Sequence, residues 1–272
     1  MSKYFSHNFG IDSESILKHK KILTLIVMSS ACFILCFMLF SVSAHAAEKK
    51  VVLSTLEWPP YTGVKLPDNG RTSKLVKAAF NAMGYKVEFK FTPWKRALRN
   101  VRKSKNVLGY FPEYYSAVRA QEFIFSDSIG CSPIGVLMRV ERPVIWDSVA
   151  DLSKYRIGIV SGYINTDGFD KLVAKGKMNI DYAPSDDSNI KKVIRNRVHG
   201  AVVDVNVYNY ISLADSDVTK FRAKLTFFNK LLGINKLHVC FKNNEEGQKL
   251  TRILNEGLKK IGHADLNSDR CK

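Results

Sequence analysis

The most constraining feature of the sequence is an alternation of strand and helix patterns between residues 50 and 110. Residues 50–55 predict a short β-branched strand, and apolar side chains at positions 87, 89 and 91 predict a second one. The intervening helix has its apolar residues at helical spacing and ends at Gly84; they are Leu75, Val76, Ala79, Phe80 and Met83. Another helix is predicted from Pro93 through Val101, before a strand near 107–110. This order predicts an α/β fold with helices packed on a sheet.

The remainder of the chain continues the same pattern. Apolar runs at 134–138, 156–160, 198–204 and 236–241 predict further strands. Helices are predicted at 189–197 and at 250–261, the second ending at Gly262. The sequence contains no internal repeat and no low-complexity tract, so we expect one chain-wide α/β architecture.

The N-terminal 47 residues have the organisation of a secretory signal. A basic segment at 18–21 precedes an apolar run at 22–42, and an Ala-x-Ala site follows at 44–46. We expect cleavage after Ala46 or Ala47 and export to the periplasm. The apolar run is also long enough to span a bilayer, so an uncleaved inner-membrane anchor stays open as an alternative.

The excess of basic over acidic residues restricts the kinds of partner that the protein is expected to bind. The chain has 42 Lys and Arg against 25 Asp and Glu, a formal net charge of +17. Such a charge attracts anionic surfaces such as lipid headgroups or cell wall. Nucleic acid is disfavoured as a partner, because the basic residues are spread along the chain without an arginine-rich tract or zinc-finger spacing.

We expect no cofactor and no metal site. His238, Cys240 and His263 are the residues that suggest one, but their spacing fits no familiar metal site, and a structural role is favoured for each. Three cysteines follow the expected cleavage site: Cys131, Cys240 and Cys271. An oxidising compartment permits a disulfide between Cys240 and Cys271, with Cys131 as a buried free thiol, but the sequence does not fix this pairing.

Residues 116–127 resemble a known family signature. Ser116, Arg119 and the run Phe125-Ser126-Asp127 follow the pattern Thr-x-x-Arg, five residues, Phe-Ser/Thr-Asp. This pattern is typical of bacterial extracellular solute-binding proteins of family 3, the polar amino-acid type of type II periplasmic binding proteins. The resemblance implies that Arg119 holds a ligand carboxylate, a task that suits the planar guanidinium. The alternative is an arginine on a solvated helix.

A second segment, 197–204, resembles the family pattern Gly-Arg-x-Asp-Ala-x-x-x-Asp. The resemblance implies that Asp204 takes the α-ammonium group of the ligand, because the last Asp of the pattern does so in the family. Asp204 also follows an apolar strand, where ligands of α/β proteins bind. The alternative is a surface or helix-capping Asp. His199 stands where the family has an acid, which we interpret as structural variation.

The resemblance also implies roles for aromatic residues and for one turn. Trp58 and Trp94 match two aromatics that sandwich the ligand side chain, and each lies outside a periodic apolar run. The alternative is that both tryptophans belong to the core. Residues 161–163 resemble the strand–glycine–helix opening of the second lobe, so Tyr163, Ile164 and Asn165 are candidate carboxylate contacts.

The pocket departs from the family in one respect. Small hydroxyl residues are usual five to eight positions before the arginine, whereas this chain has Phe111, Pro112, Glu113 and Tyr114. We predict that Tyr114 makes the pocket more aromatic. Two alternatives for the ligand stay open: Glu113 would meet a basic group of the ligand, whereas Arg96 would favour a ligand with an acidic group.

The expected organisation is a two-lobe type II periplasmic-binding-protein fold, in which each lobe is a mixed sheet flanked by helices. Residues 48–131 and 237–272 would form lobe 1, and 132–236 lobe 2, with a hinge between them. We expect a monomer that captures a small zwitterion, an amino acid or a relative, for an inner-membrane ABC permease. Two alternatives are a sensor or membrane-anchored receptor and a dehydratase-like enzyme. No catalytic motif is visible, so the enzyme is least favoured.

Overall fold

A computed structural model describes residues 49–263 of the protein. The predicted leader and Cys271 lie outside this range, so the predictions made for them stay predictions. Among the described residues, no helix is both long and apolar enough to cross a membrane.

The secondary structure follows the predicted alternation. The ten strands of the described region are β1 (Lys49–Thr55), β2 (Tyr85–Phe91), β3 (Gly109–Tyr114), β4 (Phe123–Phe125), β5 (Gly130–Arg139), β6 (Arg156–Val160), β7 (Asn179–Ala183), β8 (Gly200–Asp204), β9 (Leu225–Phe227) and β10 (Gly233–Lys242). Its α-helices are α1 (Arg71–Ala82), α2 (Trp94–Lys103), α3 (Ala117–Ala120), α4 (Asp167–Ala174), α5 (Asp186–Ile194), α6 (Val205–Ala214), α7 (Ser216–Thr219) and α8 (Glu245–Lys260). Short 3-10 helices are found at Pro67–Asn69, Val149–Lys154 and Arg222–Lys224.

The described strands form one sheet in the order β2-β1-β3-β10-β5-β8-β6-β7. β4 pairs with β10 and β9 pairs with β5, both beside this path. We call β2, β1 and β3 the first half of the sheet; β1 runs parallel to both neighbours. We call β8, β6 and β7 the second half; β6 likewise runs parallel to both neighbours. The predicted α/β class, with its helix-flanked mixed sheet, is confirmed.

Two long strands connect the halves. β5 pairs with β10 from Gly130 to Ile134, and then with β8 from Ile134 to Met138. β10 pairs with β5 as far as Leu237, and then with β3. Since each strand changes its neighbour near its middle, the chain crosses between the halves twice. The lobe boundaries proposed from sequence stay a prediction.

Several element boundaries differ from the predictions, those of β3, α5 and α4 among them. β3 continues to Tyr114, beyond the predicted end at 110. α5 begins at Asp186 and not at position 189, because the Ser185 side chain accepts a hydrogen bond from the backbone N–H of Ser188 and caps the helix earlier. The helix predicted to begin directly after the turn at 161–163 starts at Asp167, where Thr166 is the N-cap.

The pairing of Cys240 with Cys271, which the sequence left open, is excluded by the structure. Cys240 is a free thiol, buried in the core and fully inaccessible. Cys131, the free thiol of that alternative, is disulfide-bonded. The sequence could not settle this, because pairing depends on which cysteines the fold brings within bonding distance. Burial raises the pKa of the Cys240 thiol well above its ordinary value.

We predict that Cys240 resists alkylation in the folded protein, because a buried, protonated thiol is a poor nucleophile. Iodoacetamide at pH 8, followed by peptide mass spectrometry, should modify Cys240 in less than about a tenth of native molecules and fully in 6 M guanidinium. Rapid modification of the native protein would contradict this placement.

Helices α1 and α8 pack against each other on the first half of the sheet. At Gly257, in the middle of α8, a Cβ atom would lie 2.2 Å from the backbone oxygen of Ala79. The two helix backbones therefore approach so closely that the contact requires glycine.

Gly257→Ala should lower the free energy of unfolding by about 2 kcal/mol, because overpacking forces the helices apart. Urea unfolding followed by circular dichroism measures this. The matched control is Gly168→Ala in α4, where an added Cβ would meet no atom within 4 Å. The control should change stability by less than about 1 kcal/mol, and equal losses in both variants would refute the close approach.

Candidate ligand-binding cleft

A cleft lies where segments following the strands of the two halves face each other. The first half contributes the loop after β1, the end of β3 and the start of α2. The second half contributes the turn after β6 and the end of β8. The Gly162 carbonyl oxygen accepts hydrogen bonds from Trp94 Nε1 at 3.0 Å and from Arg119 Nη2 at 3.1 Å. Two donors of the first half therefore hold one acceptor of the second, and the halves are closed on each other.

Arg119 is paired with an acid of its own half. Its Nε donates to Glu113 Oε2 over 3.0 Å, and its side chain is only 14% exposed. Glu113 is buried and also accepts hydrogen bonds from the backbone N–H of Tyr114 at 3.0 Å and from the Tyr110 hydroxyl at 3.2 Å. Sequence reasoning treated Arg119 and Glu113 as separate ligand contacts and missed this pair.

The local backbone explains the position of Glu113. β3 is buried along its whole length, and its ladder with β10 shifts register between His238 and Cys240. Pro112 lies opposite this irregularity, where a residue without an N–H is tolerated in a central strand. Burial raises the pKa of Glu113 to about 7, while the Arg119 charge and three hydrogen-bond donors oppose that rise. Desolvation outweighs them because the carboxyl is fully enclosed.

Asp204 is buried at the N-terminus of α6. Its Oδ1 accepts from the backbone N–H of Val207 at 2.8 Å, so it does cap a helix. Its Oδ2 accepts from the Tyr61 hydroxyl at 2.8 Å and from the Ser132 hydroxyl. Burial raises its pKa, against these donors. The carboxylate thus lies at the cleft, held by neutral groups from both sides.

A buried acid that the sequence did not reveal lies beside it. Asp186 is 6% exposed, and its Oδ2 accepts a hydrogen bond from the Tyr163 hydroxyl at 3.1 Å. Burial raises its pKa to about 7, with a further rise from the Asp204 charge. In the sequence it appears only as an acid in the first turn of a helix, a position that acids commonly occupy.

The two predicted tryptophans lie at the cleft. Trp58 stacks on Tyr61 with ring centroids 4.3 Å apart, and Trp94 meets the Tyr163 ring edge-on at 5.9 Å. Both tryptophans are buried, at 6% and 5% exposure. Their rings therefore serve the core and the cleft together, so the two interpretations of the sequence are compatible.

The turn after β6 does not offer the donors that the sequence suggested. The backbone N–H of Tyr163 donates to Val160 O at 3.2 Å, and that of Asn165 donates to Asp170 Oδ2 at 2.8 Å. The Asn165 side chain also donates to Asp170, at 2.9 Å. Arg96, on α2, is exposed and lies at neither of the two cavities described next.

Two small cavities, of about 20 and 10 Å³, lie inside the cleft and share Trp58, Tyr114, Tyr163 and Ile164 in their walls. Glu113 completes the first, and Asp186 and Asp204 complete the second. Each has room for about one water molecule. A larger cavity of about 560 Å³ adjoins them past Leu56, Trp94 and Tyr163. A ligand of amino-acid size therefore needs the halves to separate before it can enter.

The described residues contain no group of three or more His, Cys, Asp and Glu side chains arranged to hold a metal ion. His238 Nδ1 donates a hydrogen bond to the Ser126 carbonyl oxygen at 2.8 Å, and Cys240 is enclosed in the core. Their contacts are those of structural residues.

The architecture, a helix-flanked mixed sheet in two halves with a cleft between them, is the fold of the type II periplasmic binding proteins. No protein family matches the chain by sequence, and no curated protein matches it. Solved structures match it by fold.

Three such structures are informative. A histidine kinase sensor domain with similarity to periplasmic binding proteins matches with a TM-score of 0.68 and 18% identity, over 80% of this chain and 94% of that one. The glutamate-bound GluR0 ligand-binding core from Nostoc punctiforme matches with a TM-score of 0.63 and 17% identity, over 81% of this chain and 98% of that one. The arginine-bound form of a truncated ArgBP from T. maritima matches with a TM-score of 0.63 and 12% identity, over 78% of this chain and 96% of that one. At these identities the comparisons establish the fold.

The buried acids predict a pH dependence of stability. The folded-state pKa of Asp186, about 7, lies above its ordinary 3.8. Folding therefore takes up a proton between about pH 4 and 7, and the contribution of this group to stability is lost as pH rises through that window. Asp186→Asn should remove this loss, with a slope difference of up to about 1.4 kcal/mol per pH unit.

Urea unfolding of both proteins at pH 4.5, 5.5, 6.5 and 7.5 measures the difference. The variant should gain stability relative to wild type at each step upward in pH. A constant difference across the series would show that Asp186 titrates at its ordinary pKa.

Proposed function

We propose that this protein is a periplasmic solute-binding protein that captures a small organic ligand between its two lobes and delivers it to an inner-membrane ABC permease. The observation that carries the proposal is the closed cleft, in which the Gly162 carbonyl joins Trp94 and Arg119 across small cavities lined with aromatic and acidic side chains. The arginine-bound and glutamate-bound structures of the same fold support a small-molecule ligand.

Lobe opening and closing is the mechanism that this geometry supports. Among the described strands, β5 and β10 are the ones that connect the two halves of the sheet, so bending of these two strands would separate the halves. The contacts across the cleft include the Gly162 hydrogen bonds, the hydrogen bond from Tyr61 to Asp204 and the edge-on contact of Trp94 with Tyr163. A ligand that contacts both halves would stabilise the closed state by mass action.

A sensor or anchored receptor is the second candidate, and a specific observation favours it: one matching structure is a histidine kinase sensor domain. The two candidates differ in the fate of residues 1–47. Mass spectrometry of the protein from a periplasmic extract should find a new N-terminus near position 47 if the protein serves import. Recovery of the intact leader in the membrane fraction would favour the receptor.

The binding function itself is tested by a thermal-shift screen of the full-length chain in mild detergent against the twenty amino acids and a panel of small amines, sugars and organic acids. Selective ligands raise the melting temperature in proportion to occupancy. Absence of any stabilising compound would refute the proposal. Chemical turnover of a ligand found in this way would favour an enzyme on this fold instead.

Trp94→Phe should weaken binding of the ligand found in the screen about fivefold to tenfold. The variant keeps an aromatic ring but loses the hydrogen bond to the Gly162 carbonyl. That hydrogen bond contributes about 1 kcal/mol to the free energy of closing the cleft. Calorimetric titration measures the affinity, and X-ray scattering should show less compaction with ligand than in wild type.

Trp146→Phe is the matched control. Trp146 is also buried, packs on Phe228 outside the cleft, and its Nε1 makes no hydrogen bond within the described region. The control should bind the ligand with wild-type affinity. Equal weakening in both variants would show that the effect of Trp94→Phe is general and that closure does not depend on Gly162.

A further inference from the structure

Several of the groups expected to hold a ligand carboxylate already donate to acceptors within the protein. Arg119 Nε donates to Glu113, and Arg119 Nη2 donates to the Gly162 carbonyl. The backbone N–H groups of Tyr163 and Asn165 donate to Val160 and Asp170. Arg119 itself lines neither inner cavity, whereas Glu113 lines the first one. A carboxylate in these cavities would therefore meet the Glu113 carboxylate and not the remaining N–H groups of the guanidinium.

The walls of the two inner cavities are negative. They contain the carboxyl groups of Glu113, Asp186 and Asp204, and, among the described residues, no lysine or arginine. Asp186 and Asp204 accept hydrogen bonds from hydroxyl and backbone donors, and no cation contacts either of them in the described region. Acids buried in this way are poorly compensated, so a positive charge between them would be favourable.

A buried donor, the indole N–H of Trp58, lies in the same cavities. The Trp58 side chain lines both cavities and is 6% exposed. Its N–H favours the ionised form of the Asp186 carboxyl and so lowers the pKa of that group, against the effect of burial. The indole therefore supports a negative charge at the position where an ammonium group would bind.

The geometry points to an organic amine that carries no carboxylate as the ligand of this cleft: its ammonium would lie between the carboxylates of Asp186 and Asp204, against the rings of Trp58 and Tyr163. This inference rests on the proposed function and specifies its ligand class. Glu113, and not Arg119, lines the first inner cavity, so the carboxylate of an amino acid there would meet a like-charged group. Aromatic faces attract cations, so the same walls suit the charge and the alkyl part of an amine.

Pairs of compounds that differ only in the carboxylate test this directly. Calorimetric titration of the full-length chain compares agmatine with L-arginine, cadaverine with L-lysine, histamine with L-histidine, and phenethylamine with L-phenylalanine. We expect at least one amine to bind more than tenfold more tightly than its parent amino acid. If a parent amino acid binds more tightly than its amine, this inference fails while the solute-binding function stands. If no solute of any class binds, both fail.

Asp186→Asn should weaken binding of that amine at least tenfold at pH 8, because it removes a carboxylate at nearly constant volume. The control is Glu88→Gln on β2, whose acid is exposed and pairs with Lys50 on the surface. The control should leave affinity unchanged. An Asp186→Asn protein that folds and binds the amine as wild type does would overturn the placement of the ammonium.

The pH dependence of affinity gives a readout that loss of folding would not imitate. Amine binding needs ionised acids, so the affinity of the wild type should rise between pH 6 and 8, and this rise should be smaller in Asp186→Asn. The charged and titratable groups that face the two acids of pKa about 7 are Tyr114, Tyr163 and Asp204 for Asp186, and Arg119, Tyr110, Tyr163 and Cys240 for Glu113. An affinity independent of pH over this range would contradict the inference.

Discussion

The buried ion pair between Glu113 and Arg119 governs the chemistry of the cleft. It fixes the arginine at the end of β3, so that the other side of the guanidinium reaches the Gly162 carbonyl in the second half. The buried Glu113 carboxylate tolerates its loss of hydration because the largely enclosed guanidinium pairs with it. The pair therefore helps to close the cleft and engages Arg119, while among the described residues no cation contacts Asp186 or Asp204.

The fold both forms the cleft and connects the two halves of the sheet that enclose it. Parallel strands in each half bring their ends and the following loops to one cleft, while β5 and β10 pair with each other between the halves. The inner cavities hold little more than a water molecule each. Under the proposed function, ligand entry would therefore require the halves to separate, and the affinity would include the free energy of breaking the Gly162 contacts.

The sequence predicted the repeating pattern of strands and helices well, because hydrophobic periodicity is a local property that the sheet reinforces. β1, β2, β6 and α1 lie within a few residues of their predicted positions. Errors arose where a cap or a pairing partner sets the boundary: Ser185 begins α5 early, and pairing with β10 extends β3 through Tyr114. The pairing of Cys240 with Cys271 stayed open in the sequence for the same reason, since pairing is decided by distance in space.

The sequence by itself determined the α/β class and the resemblance to type II periplasmic binding proteins, and it predicted Arg119, Asp204, Trp58 and Trp94 as ligand contacts. Only the tertiary structure decided what these groups face. Glu113 meets Arg119 because a register shift against β10 surrounds Pro112, and Asp186 becomes a cleft acid because α5 starts beside Tyr163. Hydrogen bonds and burial depend on neighbours far apart in the chain, so the charge of the cleft follows from the fold and cannot be read from a motif.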